Sequence, residues 1–256
     1  MLLLLTNDDG VNSEGLWALI EEASKVEGLK VMAVAPDRER SACGHGISIH
    51  QPIEVHQEPC ERERVSVFAT SGTPADCVKL AVEGILEAPP DFLISGINRG
   101  SNLGTDVFYS GTVSAALEGA LLGVKSMAVS VTAFEAVSFE DAAEYAIAQS
   151  LSAVSDSRWP ILVNVNVPAV PKDSIAGISV TRLGVQAYRD VFTERLDPKG
   201  RTWYWLGGTL QEREDPKDSD TTAIRNNMIS VTPLLTDLTD LKALDSTKNS
   251  VLAWPS

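Results

Sequence analysis

No stretch of the 256-residue chain approaches the ~18 uninterrupted apolar residues that a membrane-crossing helix needs. Basic residues are few: 21 Lys and Arg stand against 35 Asp and Glu, for a formal net charge of −14. That deficit argues against a broad basic face, and so against binding nucleic-acid polymers or docking on anionic membranes. Cysteine is scarce. Cys43, Cys60 and Cys77 are an odd number without a CxxC pair, which disfavours a disulfide framework and fits a reducing cytoplasm. His45, His50 and His56 lack HExxH or zinc-finger spacing, so no zinc site is expected. The apolar run Met1 to Leu5 turns polar at Thr6, with neither the basic start nor the length of a secretory signal. There is no GxxxxGK[ST] loop, no GxGxxG opening a helix and no GxSxG elbow.

What is present is a globular composition, 44% hydrophobic and 22% charged, long enough for one large domain or two small ones. Short apolar runs at Leu2 to Leu5, Lys30 to Ala35, Val65 to Ala69, Asp91 to Ile97 and Ser126 to Val131 read as buried strands. Between them, helical spacing appears around Leu16 to Lys25, Pro74 to Leu86 and Thr112 to Gly123. Buried strands alternating with helices predict an α/β fold: a mostly parallel sheet with helices on both faces. The rhythm changes after residue 133. A helix is expected over Phe139 to Val154, a strand over Ile161 to Val167, extended chain over 175 to 182 and a polar loop over Gln211 to Asp220. The expected organisation is a core over 1–133 and a smaller C-terminal part over 134–256, together forming one structural unit.

Ala187 to Leu196 and Thr202 to Leu206 flank the turn Asp197-Pro198-Lys199-Gly200, a hairpin pattern. Its aromatics (Tyr188, Phe192, Trp203, Tyr204, Trp205) are dense for a surface ribbon. They either fill the chain's own core or form an arm that buries them against another subunit.

In open α/β sheets, ligands bind beyond the carboxyl ends of the strands, and three polar clusters fall there. The first is Thr6-Asn7-Asp8-Asp9-Gly10. The second is Pro36-Asp37-Arg38-Glu39-Arg40-Ser41 with Cys43-Gly44-His45-Gly46. The third runs from Ser95-Gly96-Ile97-Asn98 through Asn102 to Ser110-Gly111-Thr112. Adjacent carboxylates repel and are costly to bury alone. Asp8 and Asp9 therefore suggest a divalent cation, the plainer reading being an acidic helix-capping turn. With Ser41 and Asn98 the donor set is all oxygen, which suits Mg²⁺, Mn²⁺ or Ca²⁺. Tyr109 to Thr112 precedes a helix and reads either as an anion site or as an ordinary N-cap. Arg38, Arg40 and Arg99 could offset phosphate charge or simply be solvated, and His45 between glycines is a weaker candidate for a mobile general acid. The first turn also differs from the DxDG[TV] turn of aspartyl-phosphate phosphatases. Asn7 stands at the nucleophile's position and an amide cannot serve there, so activated water is the better expectation.

Together, Asn7-Asp8-Asp9-Gly10, Ala35-Pro36-Asp37-Arg38 with Arg40-Ser41, Gly72-Thr73-Pro74, Ser95 to Gly100, Asn102-Leu103-Gly104 and Tyr109 to Thr112 resemble the SurE survival-protein family. Asn164 to Pro168, Val180-Thr181-Arg182, Asp197 to Gly200 and Ser230 to Leu234 agree with it. The resemblance implies a divalent-metal-dependent phosphatase of nucleoside monophosphates, a 5′-nucleotidase that also accepts 3′-nucleotides and, in some members, short polyphosphate. It places one Mg²⁺ or Mn²⁺ per subunit on Asp8, Asp9, Ser41 and Asn98, with Asp8 or Asp9 as the catalytic base. Phosphate contacts fall on Asn102, Ser110, Gly111 and Thr112. It further implies a Rossmann-like N-terminal domain, a smaller C-terminal part, and a homodimer or homotetramer whose subunits exchange the protruding β-hairpin around 188–206. Two departures stand out: the loop Ala42-Cys43-Gly44-His45-Gly46, and Asp218-Ser219-Asp220 in place of Gly-Thr-Asp, where no role is transferred.

Two other classes of function stay open on the residues alone: a nucleotide-binding or sensing module without turnover, and an assembly protein whose hairpin is its working surface. The second and third loops are each charge-neutral over 36–46 and 95–112. The sequence therefore predicts that only Asp8 and Asp9 charge the crevice, which restricts phosphate ligands to small monoesters.

Overall fold

The computed structural model describes residues 1–133, 138–189, 191–211 and 215–250. The boundary expected after residue 133, Asp190 in the hairpin and residues 212–214 of the polar loop adjoin or lie outside those residues.

The chain opens with β1 (Leu2–Thr6) and α1 (Glu14–Ser24), whose first turn is capped by Ser13, its Oγ accepting from the Leu16 amide. Then follow β2 (Lys30–Pro36), β3 (Val55–Glu58) and β4 (Val65–Thr70). Next comes α2 (Pro74–Leu80), started by Pro74 and a reciprocal Thr73–Asp76 capping box. The helical spacing seen to Leu86 continues past α2 as a π-helical turn, Ala81–Ile85. β5 (Phe92–Arg99), α3 (Gly111–Leu121), β6 (Ser126–Val131), α4 (Glu140–Ser155) and β7 (Leu162–Val167) complete the regular alternation.

The later elements are β8 (Gly177–Val180), β9 (Tyr188–Arg189), β10 (Phe192–Leu196), β11 (Thr202–Leu206) and β12 (Thr209–Leu210). They are followed by α5 (Asp220–Arg225), β13 (Met228–Pro233) and α6 (Leu244–Ser250). Five strands and helices of the chain were not anticipated. β3 is a mostly exposed edge of four residues, β12 spans only two, α5 is under two turns long, β13 was seen only as part of a motif, and α6 has few apolar residues. The polar loop also ends differently from expectation, because Ser219 and Asp220 are fully buried.

Among the described residues, nine strands share one sheet in the order β3-β4-β2-β1-β5-β6-β7-β13-β8. From β4 to β7 all neighbours are parallel. β3 and β13 pair antiparallel with β4 and β7. The strand period of two divides the core between the sheet's faces. Leu3 and Leu5 pack with α1 and α4, while Leu4 packs with α2 and α3. From β1 the chain moves first to β2 on one side and later to β5 on the other. The carboxyl ends of β1 and β5 therefore flank the topological switch point, where a crevice opens.

The hairpin is present: β10 and β11 pair antiparallel with Leu196 opposite Thr202. Its aromatics do not fill the chain's core, for Phe192, Trp203, Tyr204 and Trp205 are each more than half exposed.

α1 lies close against β5 at Gly15, where a Cβ would stand 2.0 Å from the Ile97 carbonyl oxygen. Gly15→Ala should therefore destabilise the protein by about 2 kcal/mol or more, despite alanine's better helix propensity. Urea denaturation of the two proteins checks this.

Candidate active site

The three polar clusters meet in one cavity of about 710 Å³. Asp8 and Asp9 follow β1, Glu39 and Ser41 follow β2, and Asn98, Asn102, Asp106 and Ser110 come from β5 and the chain leading to α3.

The turn after β1 is built by Asn7. Its Nδ2 donates to the Gly10 carbonyl (3.0 Å) and Ser13 Oγ (2.6 Å), and its Oδ1 accepts from the Gly10 amide (3.2 Å). Asn7 is fully buried and shapes the loop that presents the next two side chains. Asp8 is buried and Asp9 half-buried. Among the described residues no salt bridge reaches either carboxylate.

Burial pushes Asp8 up to about 6, helped by the charge of Asp9, although its hydrogen bond from Thr112 opposes the shift. Burial also raises Asp9, with Glu39 adding to the effect and the Arg99 backbone N–H and guanidinium opposing it.

α3 starts directly against Asp8. The Thr112 hydroxyl donates to Asp8 Oδ1 at 2.5 Å. At Gly111 a Cβ would sit 2.7 Å from the Asp8 Cβ, so only glycine lets the helix come this near. Ser110 caps the helix, its Oγ accepting from the Val113 amide (3.1 Å). Of the four expected phosphate contacts, Asn102 and Ser110 line the cavity. The Thr112 side chain is fully buried and committed to Asp8.

Asn98 Nδ2 donates to the Gly100 carbonyl (2.8 Å), leaving its Oδ1 as the acceptor on offer. Ser41 is exposed on its loop and donates to Glu39 Oε1 (2.8 Å). Among the described residues, no three His, Cys, Asp or Glu side chains gather closely enough to hold a metal ion. A cation here would need the hydroxyl and amide oxygens of Ser41 and Asn98 beside the two carboxylates. The donors fit a hard divalent ion on that basis: all are oxygens, and among the described residues no salt bridge neutralises either carboxylate.

Two expectations are corrected. The neutral loops do not make a neutral crevice, because their charges separate by direction. Arg40 turns to the Ser71 carbonyl (2.8 Å) and, with Arg38, lies near Asp37. The cavity is lined by Asp8, Asp9, Glu14, Glu39 and Asp106 against Arg99, itself bound to Glu14 at 2.5 Å. His45 is not a mobile acid in this cavity, since its Nε2 meets buried Glu118 of α3 at 2.8 Å.

Residues 3–190 match the family model described as Survival protein SurE. The chain belongs to the SurE family. The 5′-nucleotidase SurE of Thermosynechococcus vestitus is 47% identical over 246 residues, covering 93% of this chain and 92% of that one. That of Carboxydothermus hydrogenoformans is 45% identical over 260 residues, 99% and 97% of the two chains. The crystal structure of the SurE protein from Aquifex aeolicus superposes with a TM-score of 0.83 at 37% identity, covering 98% of this chain and 99% of that one.

In this SurE-family chain several residues that shape the site have a part in it that their local sequence did not assign. Asn102 is held from below by two asparagines of β7. Asn164 and Asn166 donate to its carbonyl (2.8 and 3.0 Å), and its amide donates to Asn166 Oδ1 (2.9 Å). Asp220 accepts from the Gly104 and Gly184 amides, both at 2.8 Å, tying the cavity wall to α5. The clue available for the asparagines was their alternation in a buried strand, where polar side chains need partners.

The raised Asp8 carries a stability consequence. The folded, metal-free protein keeps a proton on Asp8 up to about pH 6, whereas the unfolded chain releases it in the usual carboxylate range. This stabilisation is full below ~4 and is lost as pH rises through about 6. In chelator-treated protein at pH 7, Asp8→Asn should raise unfolding stability by about 1–3 kcal/mol. At pH 4 the gain should vanish. Urea melts at the two pH values measure both.

Proposed function

We propose that the protein is a phosphoric monoester hydrolase of the 5′-nucleotidase type, acting on nucleoside monophosphates. The observation that carries this reading is the pair of adjacent carboxylates beside the start of α3, with no salt bridge to either among the described residues, in a cavity of nucleotide size, within a chain that aligns over nearly its whole length with relatives named 5′-nucleotidase SurE. The cavity's recognisable donors suit the phosphoryl group, so the proposal extends to 3′-nucleotides and short polyphosphate.

Asp8, Asp9, Ser41 and Asn98 would hold one Mg²⁺ or Mn²⁺ per subunit. When bound, such an ion supplies Lewis acidity and offsets the negative charge of the cavity and of the substrate. Asn102, Ser110 and the backbone at Gly111 and Thr112 hold and orient the phosphoryl oxygens at the helix start. Asp8 or Asp9 accepts the proton of the attacking water. Thr112 fixes the Asp8 carboxylate for that task.

The proposal includes assembly. The exposed aromatics of β10 and β11 would be covered by another copy of the chain, giving a homodimer or homotetramer. Among the described residues no helix is long and apolar enough to cross a membrane, in keeping with work in the cytoplasm on small nucleotides. Strands from both 1–133 and 134–256 lie in the same sheet, which supports one structural unit.

Asp9→Asn should lower turnover of a nucleoside 5′-monophosphate by ~10²-fold or more at saturating Mn²⁺, the scale expected for loss of a general base. Asp8→Asn should do the same. Phosphate release assays check both, and wild-type rates in both variants would sink the assignment. Wild-type protein that binds the nucleotide without releasing phosphate would favour a sensing module instead. Replacing Trp203 and Trp205 together by Ser should lower the mass seen by sedimentation while leaving the fold intact, because neither side chain belongs to the core.

A further inference from the structure

Phosphate ester hydrolysis needs a second proton transfer, to the departing oxygen, and none of the residues placed so far supplies it. We propose that Asp106 is the acid that protonates the leaving ester oxygen, a role that rests on the phosphatase reading above.

Asp106 lies in the 3-10 turn Gly104–Phe108, between Asn102 and Ser110, and lines the same cavity. Its carboxyl is held from one side. The Tyr188 hydroxyl donates to Oδ2 at 2.7 Å, and among the described residues Oδ1 has no hydrogen-bond partner. No cationic side chain pairs with it among the described residues. The other acidic groups of the cavity are engaged elsewhere. Glu14 binds Arg99, Glu39 accepts from Ser41, and Asp8 and Asp9 are the proton acceptors.

The surroundings favour the protonated form of Asp106. Burial raises it and the nearby charge of Asp220 adds to that, against the Tyr188 hydrogen bond. Tyr188 itself is pushed up to about 12 by burial and by Asp106, so it remains a donor throughout the neutral range. Tyr188 can anchor the carboxyl but is too weak an acid to replace it.

The proton count closes. Water adds to phosphorus and gives a proton to Asp8 or Asp9, while the P–O ester bond breaks. The leaving oxygen takes the Asp106 proton and departs as a free hydroxyl. Asp106 then regains a proton from solvent as the other aspartate loses one.

The test compares two substrates of different leaving group at saturating Mn²⁺. A nucleoside monophosphate must expel an alkoxide, which needs the proton. p-Nitrophenyl phosphate expels a stabilised phenolate, which does not. Asp106→Asn keeps an oxygen for Tyr188 and should lose ~10²-fold in kcat on the nucleotide. On the aryl ester it should lose less than about 5-fold. Tyr188→Phe, which removes only the anchor, should show the same bias in weaker form. Equal losses on both substrates in the two variants, or no loss on either, would overturn the assignment. Wild-type protein inactive on both substrates would overturn the phosphatase reading itself.

Discussion

Two neighbouring carboxylates held at the end of β1 are the constraint around which this molecule is arranged. Burying a carboxylate without a cation is unfavourable, and burying two side by side more so. The surrounding structure accepts that burden and does not relieve it. Asn7 stiffens the turn that presents them, Thr112 hydrogen-bonds one of them, and Gly111 lets a helix start approach without a side chain between. The arginines nearest in sequence point to other partners. Such an arrangement stores unfavourable electrostatics at a single place, the expected condition of a site that gains its stability from what it binds.

The position of that site follows from topology. β1 is the strand from which the chain departs to both sides of the sheet, and the loops after β1, β2 and β5 have no shared strand to close the gap between them. The sheet brings together residues more than a hundred positions apart, such as Asp8 and Thr112, through regular packing alone. Polar anchors then fix the wall of the cavity. The β7 asparagines grip Asn102, and Asp220 holds two glycine amides from separate segments.

Much of this was legible in the sequence, for identifiable reasons. The parallel strands could be read because each is a continuous apolar run between strong turn residues. The acidic pair that lines the cavity could be read because adjacent aspartates directly after a buried strand are costly to bury alone. Other features were hidden by the limits of local pattern. β3 is an edge strand with His, Gln and Glu, and it lacks the apolar face that marks a buried strand. Charge balance along a loop does not tell which side chains face inward, so the acidity of the cavity was underestimated. Asp220 read as part of a solvated loop because its partners, Gly104 and Gly184, are distant in sequence. The aromatic hairpin was legible as a ribbon from its turn and flanking strands, but its protrusion was implied only by the family resemblance, since composition cannot distinguish a core face from a face awaiting a partner.

The contact at the foot of that ribbon links matters that are usually separable. Tyr188 stands at the hairpin's base and touches Asp106, and the Thr105 hydroxyl donates to the Gln186 carbonyl at 2.9 Å beside it. The base of the arm and the wall of the cavity are thus one piece of structure. For protein engineering, this makes the arm a poor module to exchange. A foreign assembly element grafted at residue 187 would inherit the task of supporting the cavity wall, and a change made to alter quaternary structure would be felt as a change in substrate handling.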